Sequence, residues 1–334
     1  MRAMALDNPA PIEAAPLRAC DLPTPRAGPG EVRVRVEACG VCRTDLHVAE
    51  GELPPHRLPL IPGHEVIGRV EEVGEGVTQL RPGDRVGAAW LYQSCGECEY
   101  CRRGSENLCE QPQFTGYDRD GGYAEQMIAR ADFVYPLPDE INAREFAPLL
   151  CAGIIGYRAL KRSEVKPGQR LGLYGFGGSA HIVIQVARHW GCEVYVSSRE
   201  EKHRRLAEEL GAAWVGGADD RPPVKLEAAI LFAPVGHLVP PIMEALSKGG
   251  TLAVAGICLT DVPTLNYQQH LFHEKTLRSV TANTREDGRE LLRLAVEIPL
   301  RAHTEVFDLA DANEALRRLK QDEINGAAVL RIAP

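Results

Sequence analysis

The sequence contains no long apolar run, no dense basic tract and no internal repeat, and each absence narrows what the chain can be. No stretch reaches the ~18 to 20 consecutive apolar residues that a membrane-spanning helix requires. The opening MRAMALDNPAP has no charged segment followed by an apolar one, so no secretory signal is expected. Lysine and arginine total 38 against 46 acidic residues, a net charge of −8. The densest basic stretch, Lys202 to Arg205, is interleaved with Glu200, Glu201, Glu208 and Glu209 and reads as a solvated helix face. An acidic chain without a basic patch is a poor match for nucleic acid or an anionic membrane. A soluble, cytoplasmic protein with neither as a partner is expected.

What is present is a two-domain pattern. A chain of 334 residues is long for one core, and 32 glycines and 24 prolines supply many turns. The first 148 or so residues read as mainly β: Val32, Val34 and Val36 alternate with charged residues, and a second strand runs from Val66 to Val73. Past residue 150 the pattern changes. Short apolar strands at 171–174, 193–196, 228–232, 251–255 and 277–280 are separated by helical stretches near 182–190 and 200–210, the rhythm of a doubly wound parallel sheet. Helices near 285–296 and 311–320 and a strand from Ala327 to Ile332 complete the chain.

Ten cysteines are many for a chain in a reducing compartment, and their clustering carries the meaning. Cys95, Cys98, Cys101 and Cys109 fall within fifteen positions, a spacing at which four thiolates wrap one tetrahedral ion in a closed, structural site. An iron–sulfur cluster would show a different last spacing and a following proline, whereas Glu110 follows Cys109; zinc is expected. A second set is dispersed: Cys42, His64 and Cys151. Singly, His64 reads as a satisfied polar residue and Cys151 as a small core residue. Together, two thiols and an imidazole are an attractive three-ligand set that leaves zinc a fourth position, although spacing alone does not join Cys151 to the others.

A glycine cluster follows the strand at 171–174: Gly175, Gly177, Gly178, Ser179 and Ala180 lead into a helix. Strand, loop and helix in that order suit a dinucleotide fingerprint, with glycines admitting a pyrophosphate to the helix start. At the end of the next strand an NAD site usually carries a carboxylate; here stand Ser197, Ser198 and Arg199. The missing carboxylate and an arginine able to pair with a 2′-phosphate favour NADP(H) over NAD(H). The plainer alternative makes Arg199 the first solvated residue of the next helix, beside Glu200.

Gly63-His64-Glu65-x2-Gly68-x5-Gly74-x2-Val77 resembles the signature of the zinc-containing medium-chain alcohol dehydrogenases. Cys39 to His47, the four-cysteine lobe, Gly121 to Glu125 and Leu150 to Gly153 match that family in order and approximate spacing. The resemblance runs from about Met4 to the C-terminus. It implies an α/β protein with a GroES-like β-rich catalytic domain over 1–149 and 285–334 and a Rossmann domain over 150–284, the active site lying in the cleft between. It also implies two zinc ions per subunit, one structural and one catalytic, and an NAD(P)-dependent exchange of hydride between an alcohol and an aldehyde.

Residue by residue, the resemblance makes Cys42, His64 and Cys151 the catalytic zinc ligands, with Asp45 and Glu65 as carboxylates behind them and Glu65 itself in reach of the ion. Thr44 and His47 correspond to a proton relay passing by way of the cofactor ribose. Arg43 corresponds to a pyrophosphate contact, and Leu53, Trp90 and Leu91 to pocket-lining positions. A bulky Trp90 favours slim, apolar, primary alcohols; ordinary core is the alternative reading for it. A homodimer or homotetramer is implied, with the strand near Leu277 to Val280 as the contact. Two positions depart from the family pattern: Ala327 stands where relatives carry an arginine, and the turn around Asn283 lacks glycine. Three other readings remain: a non-catalytic redox sensor on the same fold, a polyol or cinnamyl-type alcohol reductase, and a zinc-free quinone reductase, which would lack both cysteine sets.

Overall fold

Val32, Val34 and Val36 are buried on one face of the strand Glu31–Val41, and from Ala38 onward every residue of that strand is buried. The strand therefore starts half-solvated and ends wrapped on both sides, where it delivers the chain to Cys42. In the computed structural model, which describes residues 1–298 and 300–332, this strand is the spine of a seven-stranded sheet. Val66–Val73 lies along one side of it, followed by Arg85–Ala88 and Val134–Pro136. On the other side Gln126–Arg130 pairs with its first half and Ala327–Arg331 with its second. These pairings are antiparallel; the outer strand Thr304–Asp308 runs parallel to Ala327–Arg331. Val34, Val36, Val66, Val86, Met127 and Leu330 belong to the core this sheet encloses.

The second architecture is wholly parallel. Its six strands lie in the order Trp214–Gly216, Glu193–Ser197, Arg170–Tyr174, Leu226–Leu231, Leu246–Val254, Thr276–Ser279. Numbered along the chain this is 3-2-1-4-5-6, the doubly wound order whose switch point lies between the first and fourth strands. Helices Ala180–His189 and Glu201–Glu209 are crossovers, each burying an apolar stripe that includes Ile182, Val183 and Val186 in one and Leu206 in the other. A GroES-like β-rich fold and a Rossmann sheet are thus both present.

The chain divides into two compact units: Met1–Cys151 with Ala282–Leu292 and Arg301–Pro334, and Ala152–Thr281 with Arg293–Leu300. The strands Trp214–Gly216 and Thr304–Asp308 and the helix Arg43–Glu50 are elements that the sequence pattern did not announce. Two details concern the positions that depart from the family pattern. The turn before the helix Arg285–Glu297 is made without glycine by Ala282, at φ 47°, a left-handed conformation that an alanine adopts at a cost of about 1 kcal/mol. Ala327 is buried at the start of its strand, with its amide donated to the carbonyl of His303.

Within the first unit, the cysteine lobe is tied to the helix Arg285–Glu297 by one carboxylate. Glu106 accepts the Arg285 amide at 2.7 Å and its guanidinium at 2.7 to 3.1 Å, while that guanidinium lies 4.2 Å from the centre of the Phe133 ring. Glu106→Ala strands a largely covered guanidinium and an amide, a loss of about 2 kcal/mol. The thermal midpoint is expected to fall by several degrees, whereas Glu99→Ala, at a solvated pair with Arg103, should leave it in place.

Candidate metal centre and cofactor loop

Four donors converge where the buried end of the spine strand meets three other segments. Ligand atoms of Cys42, His64, Glu65 and Cys151 all lie within 4.8 Å of one another. Cys42 is the N-cap of the helix Arg43–Glu50. His64 and Glu65 precede the strand Val66–Val73, after Gly63 at φ +99°. Cys151 follows the buried turn Ala147–Leu150, whose Leu150 leaves no room for a side chain at Gly87. The fold therefore gathers residues that spacing alone could not.

One carboxylate organises this cluster. Asp45 is 1% exposed; its Oδ1 accepts from the Gly63 amide at 3.1 Å and His64 Nδ1 at 2.9 Å. Its Oδ2 accepts from the Cys42 amide at 2.9 Å and the Tyr123 hydroxyl at 3.2 Å. Because Nδ1 of His64 is committed to Asp45, Nε2 is the free nitrogen, and it is buried without a hydrogen-bond partner. A buried imidazole nitrogen is rarely left so. Sγ of Cys42 and Sγ of Cys151 are 3.8 Å apart, far beyond a disulfide and equal to the edge of a tetrahedron with metal–sulfur bonds of about 2.3 Å. The site fits a zinc ion by donor chemistry and by spacing.

The charges agree. Hydrogen bonding from Cys151 holds the Cys42 thiol well below its ordinary range, against the opposing effect of burial and with help from His64. The same hydrogen bond, together with burial, pushes Cys151 well above it. Burial resists a charge on His64, but Asp45 and then Cys42 raise it well above an ordinary histidine. These are protons that a cation displaces on binding. Burial and nearby anions raise Tyr123 far above an ordinary phenol, which keeps its hydroxyl a donor.

The four-cysteine lobe is a second, different centre. Sγ atoms of Cys95, Cys98, Cys101 and Cys109 also lie within 4.8 Å of one another, with Cys95 and Cys101 3.9 Å apart. Backbone amides point at the sulfurs: Cys98 to Cys95 at 3.3 Å, Cys95 to Cys109 at 3.3 Å and Gln111 to Cys109 at 3.4 Å. Backbone donors around Cys98 bring it down to about 6, whereas burial lifts Cys109 to about 11.

Other site residues cluster to different degrees. Thr44 is buried, its Oγ1 3.7 Å from Cys42 Sγ. His47 sits in the last turn of the same helix, Nδ1 2.5 Å from Glu52 Oε2; Glu52 was not singled out in the sequence, and it is brought back by Gly51 at φ +81°. Arg43 is ion-paired with Asp322. Trp90 presents an edge to the His64 ring at 4.9 Å and stacks on Phe114 at 4.8 Å. Leu53 and Trp90 pack against the first unit's core, and Leu91 is buried in the short strand Leu91–Gln93. Tyr123 and Gly40 are further residues that the sequence reading gave no role; the Gly121 to Glu125 motif was the only signal for the first.

In the second unit, Gly175 leaves the first strand at φ +88°, its amide on the Ser197 carbonyl, and a Cβ there would lie 2.7 Å from the Ala233 amide. Around Gly177 the space is open, a cradle suited to a ligand's close approach beside Gly178, Ser179 and Ala180 at the start of the helix. Ser197 and Ser198 are buried at the end of the second strand. Arg199 projects outward and pairs with Glu200 at 2.7 Å.

A Cβ on Gly40 would lie 1.7 Å from Glu65 Oε2, so a side chain there drives Glu65 out of the donor cluster. Gly40→Ala is expected to weaken any zinc or cobalt binding at this cluster about tenfold or more and to leave binding at the four-cysteine cluster unchanged. Competition with a chromophoric chelator resolves the two.

Comparison with known proteins agrees with this chemistry. Residues 28–139 match the alcohol dehydrogenase GroES-like domain family, and residues 178–297 match the zinc-binding dehydrogenase family. A probable alcohol dehydrogenase of Mycobacterium tuberculosis is 55% identical over 99% of this chain and 97% of its own length. An alcohol dehydrogenase of Geobacillus stearothermophilus is 39% identical over 95% of this chain and 96% of its own. Among solved structures, a cobalt- and zinc-bound thermostable alcohol dehydrogenase from Pyrobaculum aerophilum superposes with a TM-score of 0.89 at 29% identity, covering 99% of both chains. No helix among the described residues is long and apolar enough to cross a membrane. The chain belongs to the zinc-containing medium-chain alcohol dehydrogenases and is an oxidoreductase of that family.

Proposed function

We propose that this protein exchanges hydride between a primary, apolar alcohol or its aldehyde and NADP(H), using one zinc at Cys42, His64 and Cys151 and holding a second at Cys95, Cys98, Cys101 and Cys109. The observation that carries the reading is the buried, unpartnered Nε2 of His64 beside two sulfurs at tetrahedral spacing. When bound, the ion supplies Lewis-acid polarisation of a substrate oxygen and the dinucleotide exchanges hydride with its carbon. The chain's own residues handle the rest. Asp45 fixes His64 so that Nε2 faces the ion. Thr44 Oγ1 takes the alcohol proton, and His47 is its exit, oriented by the Glu52 carboxylate on Nδ1. Glu65, inside the same cluster, stands ready to fill a vacant position.

Trp90 forms a wall edge-to-face with His64 and stacked on Phe114, which supports slim apolar substrates, with Leu53 packed against the same core and Leu91 buried next in the chain. Gly175, Gly177, Gly178, Ser179 and Ala180 cradle the pyrophosphate, and Arg43, ion-paired with Asp322, is a further phosphate contact by family resemblance. Ser197, Ser198 and Arg199 receive the adenosine ribose. Without a carboxylate at the strand end, the exposed guanidinium of Arg199 favours a 2′-phosphate. The subunit assembles as a homodimer or homotetramer: Thr276–Ser279 is the outer strand of the parallel sheet, and Tyr267 and Phe272 in the segment before it are exposed. Six cysteines gathered for metal ions rather than into disulfides support a cytoplasmic location.

Cys42→Ala is expected to remove one of two zinc ions per subunit and abolish turnover with little change in melting temperature. Cys98→Ala should instead lower the melting temperature; equal activity losses at unchanged stability would contradict this division. For the cofactor, kcat/KM should be higher with NADP(H), and Arg199→Ala should cut that value about tenfold or more while sparing NAD(H). A clear NAD(H) advantage in the parent protein overturns the preference.

A further inference from the structure

We propose that Tyr123 is a positioning residue for the metal ligand His64, acting through Asp45 to slow the loss of the ion. The proposal rests on the reading of Cys42, His64 and Cys151 as zinc ligands. Asp45 has two oxygens and four donors, arranged two and two. On Oδ1 the donors are the Gly63 amide and His64 Nδ1. Oδ2 has the Cys42 amide and one hydroxyl, that of Tyr123. Three of these donors come from the ligand segments themselves. The fourth comes from a distant part of the chain, and Tyr123 itself is fully buried.

The placement of that hydroxyl is built rather than incidental. Residues 121–123 run beside residues 61–63, with Gly121, Gly122 and Tyr123 amides donated to the carbonyls of Ile61, Gly63 and Pro62 at 2.7 to 3.0 Å. The Tyr123 carbonyl is held in turn by the Met4 amide. The ring then passes under Gly63: a Cβ on that glycine would lie 2.4 Å from ring Cδ1. So the backbone ladder fixes the ring, the ring occupies the space that Gly63 leaves, and the hydroxyl reaches Asp45 Oδ2. With that donor gone, Oδ2 keeps only the Cys42 amide. The carboxylate, held by three donors instead of four, then turns more readily about its Cβ–Cγ bond, and the aim of Oδ1 at His64 Nδ1 loosens. Outer partners of a ligating histidine commonly govern metal retention.

Tyr123→Phe removes the hydroxyl and keeps the ring packing, so it isolates the donor. Zinc release from the fully loaded protein to a chromophoric chelator is followed in the parent, in Tyr123→Phe, in Asp45→Asn and in the double variant, with cobalt-substituted protein giving the ligand-field spectrum of the same centre. The expected result is release about 3- to 10-fold faster from the Cys42/His64/Cys151 centre in Tyr123→Phe. The four-cysteine ion should leave at the parent rate, the cobalt spectrum should shift, and the double variant should release no faster than Asp45→Asn alone. Unchanged release and spectrum in Tyr123→Phe overturn the proposal. So do effects of the two substitutions that multiply, since Tyr123 would then act by another route. If Cys42→Ala still holds both ions, the ligand assignment itself fails; that outcome is separate from a Tyr123→Phe result in a protein whose two ions are placed as proposed.

Discussion

The buried carboxylate of Asp45 is the constraint from which the rest of the site follows. A charge taken out of water costs several kcal/mol unless it is surrounded by donors, and here every donor belongs to a segment that the site needs in place. The Cys42 amide fixes the start of the helix Arg43–Glu50, and the Gly63 amide and His64 Nδ1 fix the loop that brings the imidazole in. Solvating one anion internally thus sets the distance between the Cys42 sulfur and the His64 imidazole. The same carboxylate leaves His64 Nε2 as the outward nitrogen, so orientation and tautomer come from one interaction.

That arrangement demands unusually close backbone approach. Gly40 gives its side-chain volume to Glu65, Gly63 gives its own to the Tyr123 ring, and Gly122 lies where a Cβ would press on Val66 at 2.2 Å. These glycines sit on neighbouring segments behind the metal donors and are required for want of space. Gly63 adds a left-handed φ that a side chain would resist. A glycine-rich motif around His64 therefore reflects how tightly its surroundings are packed, and the chemistry of the ligand set is inseparable from the packing that holds it.

Much of the architecture was legible because the periodicities are strong. Period-2 alternation located Glu31–Val41, and apolar runs of strand length located the parallel sheet, including its edge near residues 276–279. Thr304–Asp308 escaped notice because its burial does not alternate cleanly, as an edge strand's need not. The helix Arg43–Glu50 is short and polar, and its start is specified by the Cys42–Asp45 capping box, which resembles no common N-cap signature. The four-cysteine lobe was readable from spacing since its ligands are local. Donor chemistry made Cys151 attractive as a ligand but spacing alone could not join it to the others, because a contact across the fold leaves no periodic trace. Glu52 was invisible for the same reason, and Tyr123 was marked only by its motif and not by a role: their roles lie in a turn at Gly51 and in a ladder between residues 61–63 and 121–123.

On the proposed reading, the two donor clusters divide one chemistry into two tasks through their surroundings. In the lobe, thiolates are held by backbone amides that belong to the same short stretch, and Cys98 is brought down to about 6 by them. Four sulfurs would close the sphere of an ion held there, which could then only brace the chain, and Glu106 ties that lobe to Arg285. At the other cluster the sulfurs are fewer and the surroundings drier, and the Asp45 carboxylate acts on the donors through the His64 ring. Glu65 lies close enough to complete the sphere yet is confined by the empty side of Gly40. A sphere with one replaceable oxygen is what an incoming alcohol requires, and a sphere of four sulfurs denies it. Reactivity here is decided by which donors the fold withholds.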